Sequence, residues 1–88
     1  MKQFDIKIPV EPTVRVITEI VNMLNKLDSS IYISKNTFER RVNGKSLIGF
    51  LSITPHLMDD LHFYVNGELE VNDSIDIQNQ LKYILLKY

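Results

Sequence analysis

Cysteine is absent from the 88 residues. A disulfide framework, a thiol nucleophile and a cysteine-ligated zinc site are therefore excluded. Long apolar runs are missing too, and none approaches the ~20 residues that a membrane-spanning helix needs. The opening Met1-Lys2-Gln3-Phe4-Asp5 lacks an apolar signal core and carries an acid early, so a cytoplasmic location is expected. There is no linker, internal repeat or low-complexity stretch. No charge of one sign dominates, because the net charge is −1, which gives no global drive toward nucleic acid or a membrane surface. The histidines, His56 and His62, have no metal-spaced or carboxylate partner in sequence, so both are expected to be ordinary surface residues. Neither a metal nor a cofactor is expected.

What is present suits one small domain. Hydrophobic residues make up 44% and charged residues 24%, an ordinary globular balance that argues against disorder. A chain of this length buries roughly 60–65% of its extended surface, enough for one core with a thin margin. The charge is uneven along it. Residues 1–45 hold eight Lys/Arg against five Asp/Glu, and residues 46–88 hold two against six. A solvated face explains this most simply, and a basic patch for an acidic partner is the sharper alternative.

Hydropathy patterning sets the element order. Phe4, Ile6, Ile8 and Val10 alternate with polar residues and Pro9, which predicts a strand over 4–10 with one buried face. Pro9 predicts that its end lies at an edge or leaves the sheet. Pro12 or Thr13 starts a helix whose apolar stripe is Val16, Ile17, Ile20, Val21, Leu24 and Leu27. Ile31-Tyr32-Ile33 and Thr37–Val42 predict a hairpin around a turn at Ser34-Lys35-Asn36.

Asn43-Gly44 would ordinarily continue as a hairpin, but residues 45–53 do not alternate. They read as a short helix capped by Ser46 and stopped by Pro55. Phe50 and Ile53 are expected in the core. Leu61, Phe63 and Val65 predict a fourth strand, with Tyr32, Arg40, His62 and Tyr64 on a solvated open face of the sheet. A last helix from about Asn72 follows, with Asp73 and Asp76 near its start and Lys82 and Lys87 near its end, as the helix dipole favours. Its expected buried stripe is Ile75, Leu81, Ile84, Leu85 and Tyr88. The predicted fold is α+β, β-α-β-β-α-β-α, an antiparallel sheet with helices on one face.

The run Lys45-Ser46-Leu47-Ile48-Gly49-Phe50-Leu51-Ser52-Ile53 resembles the K-S-[IL]-[ML]-G-[VL]-[ML]-S-L run of HPr, the histidine-containing phosphocarrier of the bacterial sugar phosphotransferase system. Asn72-Asp73-Ser74-Ile75 is similar to the family's N-D-A-L. The likeness spans the chain, is specific around Ser46 and is loose elsewhere. It implies an HPr-like open-faced β-sandwich with a four-stranded sheet, a carrier or regulator rather than an enzyme.

The family carries its phosphoryl group on the histidine of G-[IL]-H-A-R-P-A, after the first strand. Matching Lys26-Leu27-Asp28 to the family's K-Y-D puts Thr13 at that histidine, Arg15 at the arginine and Val16 at the proline. Counting back ungapped from Ser46 puts Arg15 at the histidine instead. Neither register supplies a histidine. A threonine hydroxyl is a weak nucleophile without an adjacent base, and its phosphoester would be inert beside a labile P–N bond. Relay activity is therefore not expected. A working carrier that uses an unexpected residue is the remaining possibility for phosphoryl relay.

Ser46 has two compatible readings. As an N-cap it accepts a backbone N–H and stabilises the helix by about 1 kcal/mol. The resemblance also implies the regulatory serine that HPr kinase/phosphorylase modifies in Gram-positive bacteria, and a helix N-terminus tolerates a phosphate. Leu47, Ile48 and Leu51 would form the docking patch for proteins, with Arg15 as surface charge or an anion contact. The expected partners are such a kinase and a transcriptional regulator or phosphotransferase-system component. The alternative is a structural or homodimeric interaction domain with no phosphoryl chemistry.

Overall fold

The structure, a computed structural model, describes residues 1–36 and 40–87. Seven elements follow one another. They are β1 (Lys2–Lys7), α1 (Val14–Leu24), β2 (Ser30–Lys35), β3 (Val42–Asn43), α2 (Leu47–Ser52), β4 (Asp60–Asn66) and α3 (Glu70–Leu86). The strands form one sheet in the order β1-β4-β2-β3, with every neighbouring pair antiparallel. This is the predicted α+β open-faced sandwich.

Strand alternation builds the core. The register sets Phe4 beside Phe63, Phe63 beside Ile33, and Ile33 beside Val42, so one row of apolar side chains crosses all four strands. Phe4 and Phe63 stack with ring centroids 4.9 Å apart. Such a ring pair adds to the burial of its own area. Val16, Ile17, Ile20, Val21 and Leu24 of α1 and Ile77, Leu81, Ile84 and Leu85 of α3 close over this face. Phe50 and Ile53 are buried, as their positions predicted.

Boundaries and faces depart from expectation in five places. β1 ends at Lys7, after which Ile8 stays buried and bonded to the segment before β4, and the chain leaves the sheet at Pro9. Ser34 and Lys35 belong to β2 rather than to a turn, because pairing with β4 carries that strand on to Lys35 opposite Leu61. The bend begins at Asn36, at φ 58°. Thr37, Phe38 and Glu39 of the predicted third strand lie outside the described residues, and Arg40 and Arg41 precede β3.

α3 starts at Glu70 and points Asp73 and Ser74 inward, which leaves Ile75 exposed. The inward set is anchored by Ile77, Leu81, Ile84 and Leu85. Three and four residues back from Ile77 fall Ser74 and Asp73, so Ile75 lies off the stripe. Tyr88 lies outside the described residues.

The fifth departure concerns the open sheet face. His62 and Tyr64 point there as predicted, but both are buried. Arg41 covers the Tyr64 ring, with its guanidinium carbon 3.7 Å from the centroid. The Tyr64 hydroxyl pairs with Ser34 Oγ at 3.1 Å. His62 Nδ1 lies 2.6 Å from Asp5 Oδ1, its cross-strand neighbour. Alternation decides which face a side chain takes; what then covers that face is a separate matter.

Candidate functional site

Thr13 caps α1. Its backbone is extended, its Oγ1 accepts the Val16 N–H at 3.2 Å, and its carbonyl accepts the Ile17 N–H at 3.0 Å. A hydroxyl so placed satisfies one of the helix's unpaired first-turn donors. Arg15 is exposed in the first turn, beside exposed Val14.

Ser46 caps α2 in the same way. Its Oγ accepts the Gly49 N–H at 3.0 Å and its carbonyl accepts the Phe50 N–H at 2.8 Å. Glycine at 49 has a physical reason. A Cβ there would lie 3.2 Å from both Asn43 O and Ser46 Cβ, tighter than side chains ordinarily pack. The approach to Ser46 therefore depends on the missing side chain. The segment before the cap is fixed as well: Asn43 Oδ1 accepts the Lys45 N–H, and Lys45 Nζ donates to Leu27 O. Lys45 is therefore tied to the chain after α1, rather than turned toward Ser46.

The two caps are not brought together. Asn25, at the end of α1, donates to Lys45 O beside the head of α2. Ser46 thus lies by the tail of α1, and Thr13 and Arg15 lie at its head. Eleven residues of helix separate them, a span of about 16 Å at the ordinary rise. Between them the expected apolar patch is narrower than predicted. Ile48 is 82% exposed, while Leu47 and Leu51 are half-buried and packed against the core.

A contact that sequence reasoning missed stands at the head of α1. Glu11, two residues before Thr13, accepts from His56 Nδ1 at 2.8 Å and from Leu57 N at 2.9 Å. These bonds, the His56 one first, hold the Glu11 carboxyl below its ordinary value. The two residues are distant in sequence and on separate loops, so no local pattern announced the pair. His56 therefore does have a carboxylate partner, contrary to expectation. His62 has one too, and there the signal was available: once β1 and β4 are paired antiparallel, Asp5 falls opposite His62.

Among the described residues no group of three or more His, Asp or Glu could hold a metal ion, and no helix is long and apolar enough to cross a membrane. An open four-stranded antiparallel sheet backed by three helices, with polar positions at two helix heads, defines an α+β protein of the HPr-like fold class. The chain belongs to the HPr family itself: residues 1–81 match the family described as the PTS HPr component phosphorylation site.

Solved structures agree on the fold. HPr-C-His from Thermoanaerobacter tengcongensis is 20% identical with a TM-score of 0.84, over 97% of this chain and 96% of that one. The Mycoplasma histidine-containing phosphocarrier protein is 18% identical with a TM-score of 0.77, over 98% and 93%. The Bacillus subtilis catabolite repression protein Crh, described as a swapped-domain dimer, is 16% identical with a TM-score of 0.65, over 99% and 93%. No curated protein matches the chain.

Proposed function

We propose that this HPr-family protein is a regulatory binding module that does not relay phosphoryl groups through a histidine at the head of α1. In this reading it is phosphorylated at Ser46 and then binds a protein that controls sugar uptake or carbon use. The observation that carries the reading is the Ser46 arrangement at the head of α2, taken together with Thr13 in place of a histidine at the head of α1. The serine hydroxyl accepts from Gly49 N at the start of α2, and Ile48 projects into solvent two residues on.

A phosphate ester on Oγ would keep an acceptor for the Gly49 N–H and place two negative charges by the positive end of the helix. Modification then adds charge beside an exposed apolar side chain without unfolding the cap. A partner that reads the modified form would contact phosphoserine and Ile48 together, with half-buried Leu47 and Leu51 contributing their exposed edges. Arg15, at the other end of α1, would meet only a partner large enough to span that helix.

Thr13 supports the negative half of the reading. Its hydroxyl is engaged as a cap, and among the described residues no hydrogen bond joins it to a side-chain base, so it is a poor acceptor. The test is intact mass after incubation with ATP and an HPr kinase, on wild type and Ser46→Ala. One added phosphoryl group in wild type alone is expected. No addition to either protein would overturn the reading.

A homodimeric interaction domain is the second reading. Dimers among the similar structures, the swapped Crh and an HPr dimer from Thermoanaerobacter tengcongensis, favour it. Light scattering after size exclusion separates the two. A concentration-independent dimer of the unmodified chain would support self-association, and a monomer would leave the docking surface open for another protein.

A further inference from the structure

β1 is an edge strand of the sheet, and the direction of its backbone groups follows from its neighbour β4. Asp60 turns its own groups toward the end of β2. Its carbonyl accepts the Asn36 N–H at 2.7 Å and its N–H donates to Asn36 Oδ1 at 2.8 Å. Lys7 lies opposite Asp60, so this antiparallel pair is one without mutual hydrogen bonds. Alternation then turns the N–H and C=O groups of Gln3, Asp5 and Lys7 outward, off the sheet. Among the described residues no strand pairs with that edge.

The layer is unfinished on its helix side as well. Phe63 and Leu61 of β4 are buried, whereas Phe4 and Ile6 beside them in β1 are only half-buried. A cleft of about 450 Å³ opens between β1 and α3, walled by Ile6, Pro9, Leu81, Leu85 and Leu86. Lys82 lines the same cleft, and none of its described walls is acidic. That lysine is exposed and forms no ion pair among the described residues.

Each of these features selects the occupant. Donors and acceptors repeating at strand spacing are matched by another extended backbone, whereas a small anion would engage the donors alone. An apolar side chain fills the cleft, and a carboxylate two residues along lies on the same face, toward Lys82. A second copy of this chain fits less well. The helix-facing positions of β1 are Lys2, Phe4 and Ile6, so a second β1 offers Lys82 no counter-charge. We infer that the β1 edge docks an extended segment of another protein by strand addition, with an apolar and an acidic residue on its helix-facing side. The inference does not depend on the Ser46 reading.

The test titrates the isotope-labelled full chain, unphosphorylated, with acetyl-Thr-Glu-Thr-Leu-Thr-Glu-Thr-amide and follows amide NMR. This peptide presents Glu, Leu and Glu on one face in either strand direction. Saturable shifts at the Gln3, Asp5 and Lys7 amides are expected, with slowed hydrogen exchange there. N-methylation of alternate peptide residues removes backbone donors, so one of its two phases should bind about tenfold more weakly. Lys82→Gln should weaken binding about fivefold, and Lys82→Glu should shift the preference to the peptide with lysine in place of glutamate. No saturable shift at β1 up to millimolar peptide, equal binding of the lysine peptide by wild type, or full binding of both N-methylated phases would each overturn the inference. So would a dimer in light scattering whose free chain already protects these three amides, because a second copy would then hold the edge. No kinase enters the experiment, so its failure is distinguishable from failure at Ser46.

Discussion

At the scale of single residues, the polar groups inside this protein are placed where they can be satisfied. Among the described residues no buried side-chain nitrogen or oxygen lacks a partner. Asp73 is the clearest case. It is buried in the first turn of α3, and its Oδ2 accepts from both Ser29 N at 3.2 Å and Ser29 Oγ at 2.6 Å. The pair ties the start of α3 to the segment before β2, beyond the dipole role that its position alone suggested. Gly67 closes against the same serine, where a Cβ would lie 3.0 Å from Ser29 Oγ. Asp73→Ala would leave two buried donors unpaired, so a loss of about 3 kcal/mol is expected in urea unfolding. Ser29→Ala removes one of those donors along with its bond, so it should cost less. If both variants unfold at the wild-type midpoint, the pair is not structural.

At the scale of elements, α2 shows how a short helix divides its work. Phe50 is fully buried, Ile48 is almost fully exposed, and Leu47 and Leu51 lie between. Phe50→Ala is expected to destabilise by about 3–5 kcal/mol, because it opens a cavity under the sheet. Ile48→Ala should stay within about 0.5 kcal/mol of wild type. Denaturation midpoints of the two variants check both statements, and a large loss at Ile48 would remove it as a docking residue. The division between Phe50 and Ile48 was legible in the sequence, because six residues give a helix barely two faces. The hairpin was less legible. Ser34 and Lys35 have turn-forming character locally, but β4 runs alongside and pairs them, and tertiary pairing overrides propensity. The open sheet face was half legible: period two aimed His62 and Tyr64 outward, whereas Arg41, Ser34 and Asp5 reach them through folding. The caps Thr13 and Ser46 were readable because capping is local. The Glu11–His56 pair was not, because it joins two loops that only the finished fold brings together.

At the scale of the molecule, the uneven charge along the chain becomes a set of links between its halves. Lys7 meets Asp60, Lys35 meets Asp59, Lys87 meets Glu19, and the N-terminal ammonium meets Glu70. Exposed pairs of this kind contribute little one at a time, but they share a response to acid. Glu11, Asp59 and Glu70 all titrate below their ordinary values, 4.5 for the glutamates and 3.8 for the aspartate. For Glu11 the cause is the His56 bond and then the Leu57 N–H. At Asp59 burial pushes upward and is outweighed by the Asn36 amide, the His56 N–H and Lys35. For Glu70 it is the hydrogen bond from the terminal ammonium. The folded chain therefore binds these protons less readily than the unfolded chain. Their stabilisation is fully present above the unfolded values and is lost as pH falls through the lower folded ones. The urea midpoint should hold from neutrality to about pH 5 and then fall steadily toward about pH 3. Glu11→Gln should flatten part of that fall, because the amide cannot titrate and its oxygen still accepts the Leu57 N–H. A wild-type midpoint that stays level across the acid range, or a Glu11→Gln curve of unchanged slope, would show that these loop ties do not couple to global unfolding. In that case Glu11 ties the head of α1 to the loop after α2 without holding the fold together.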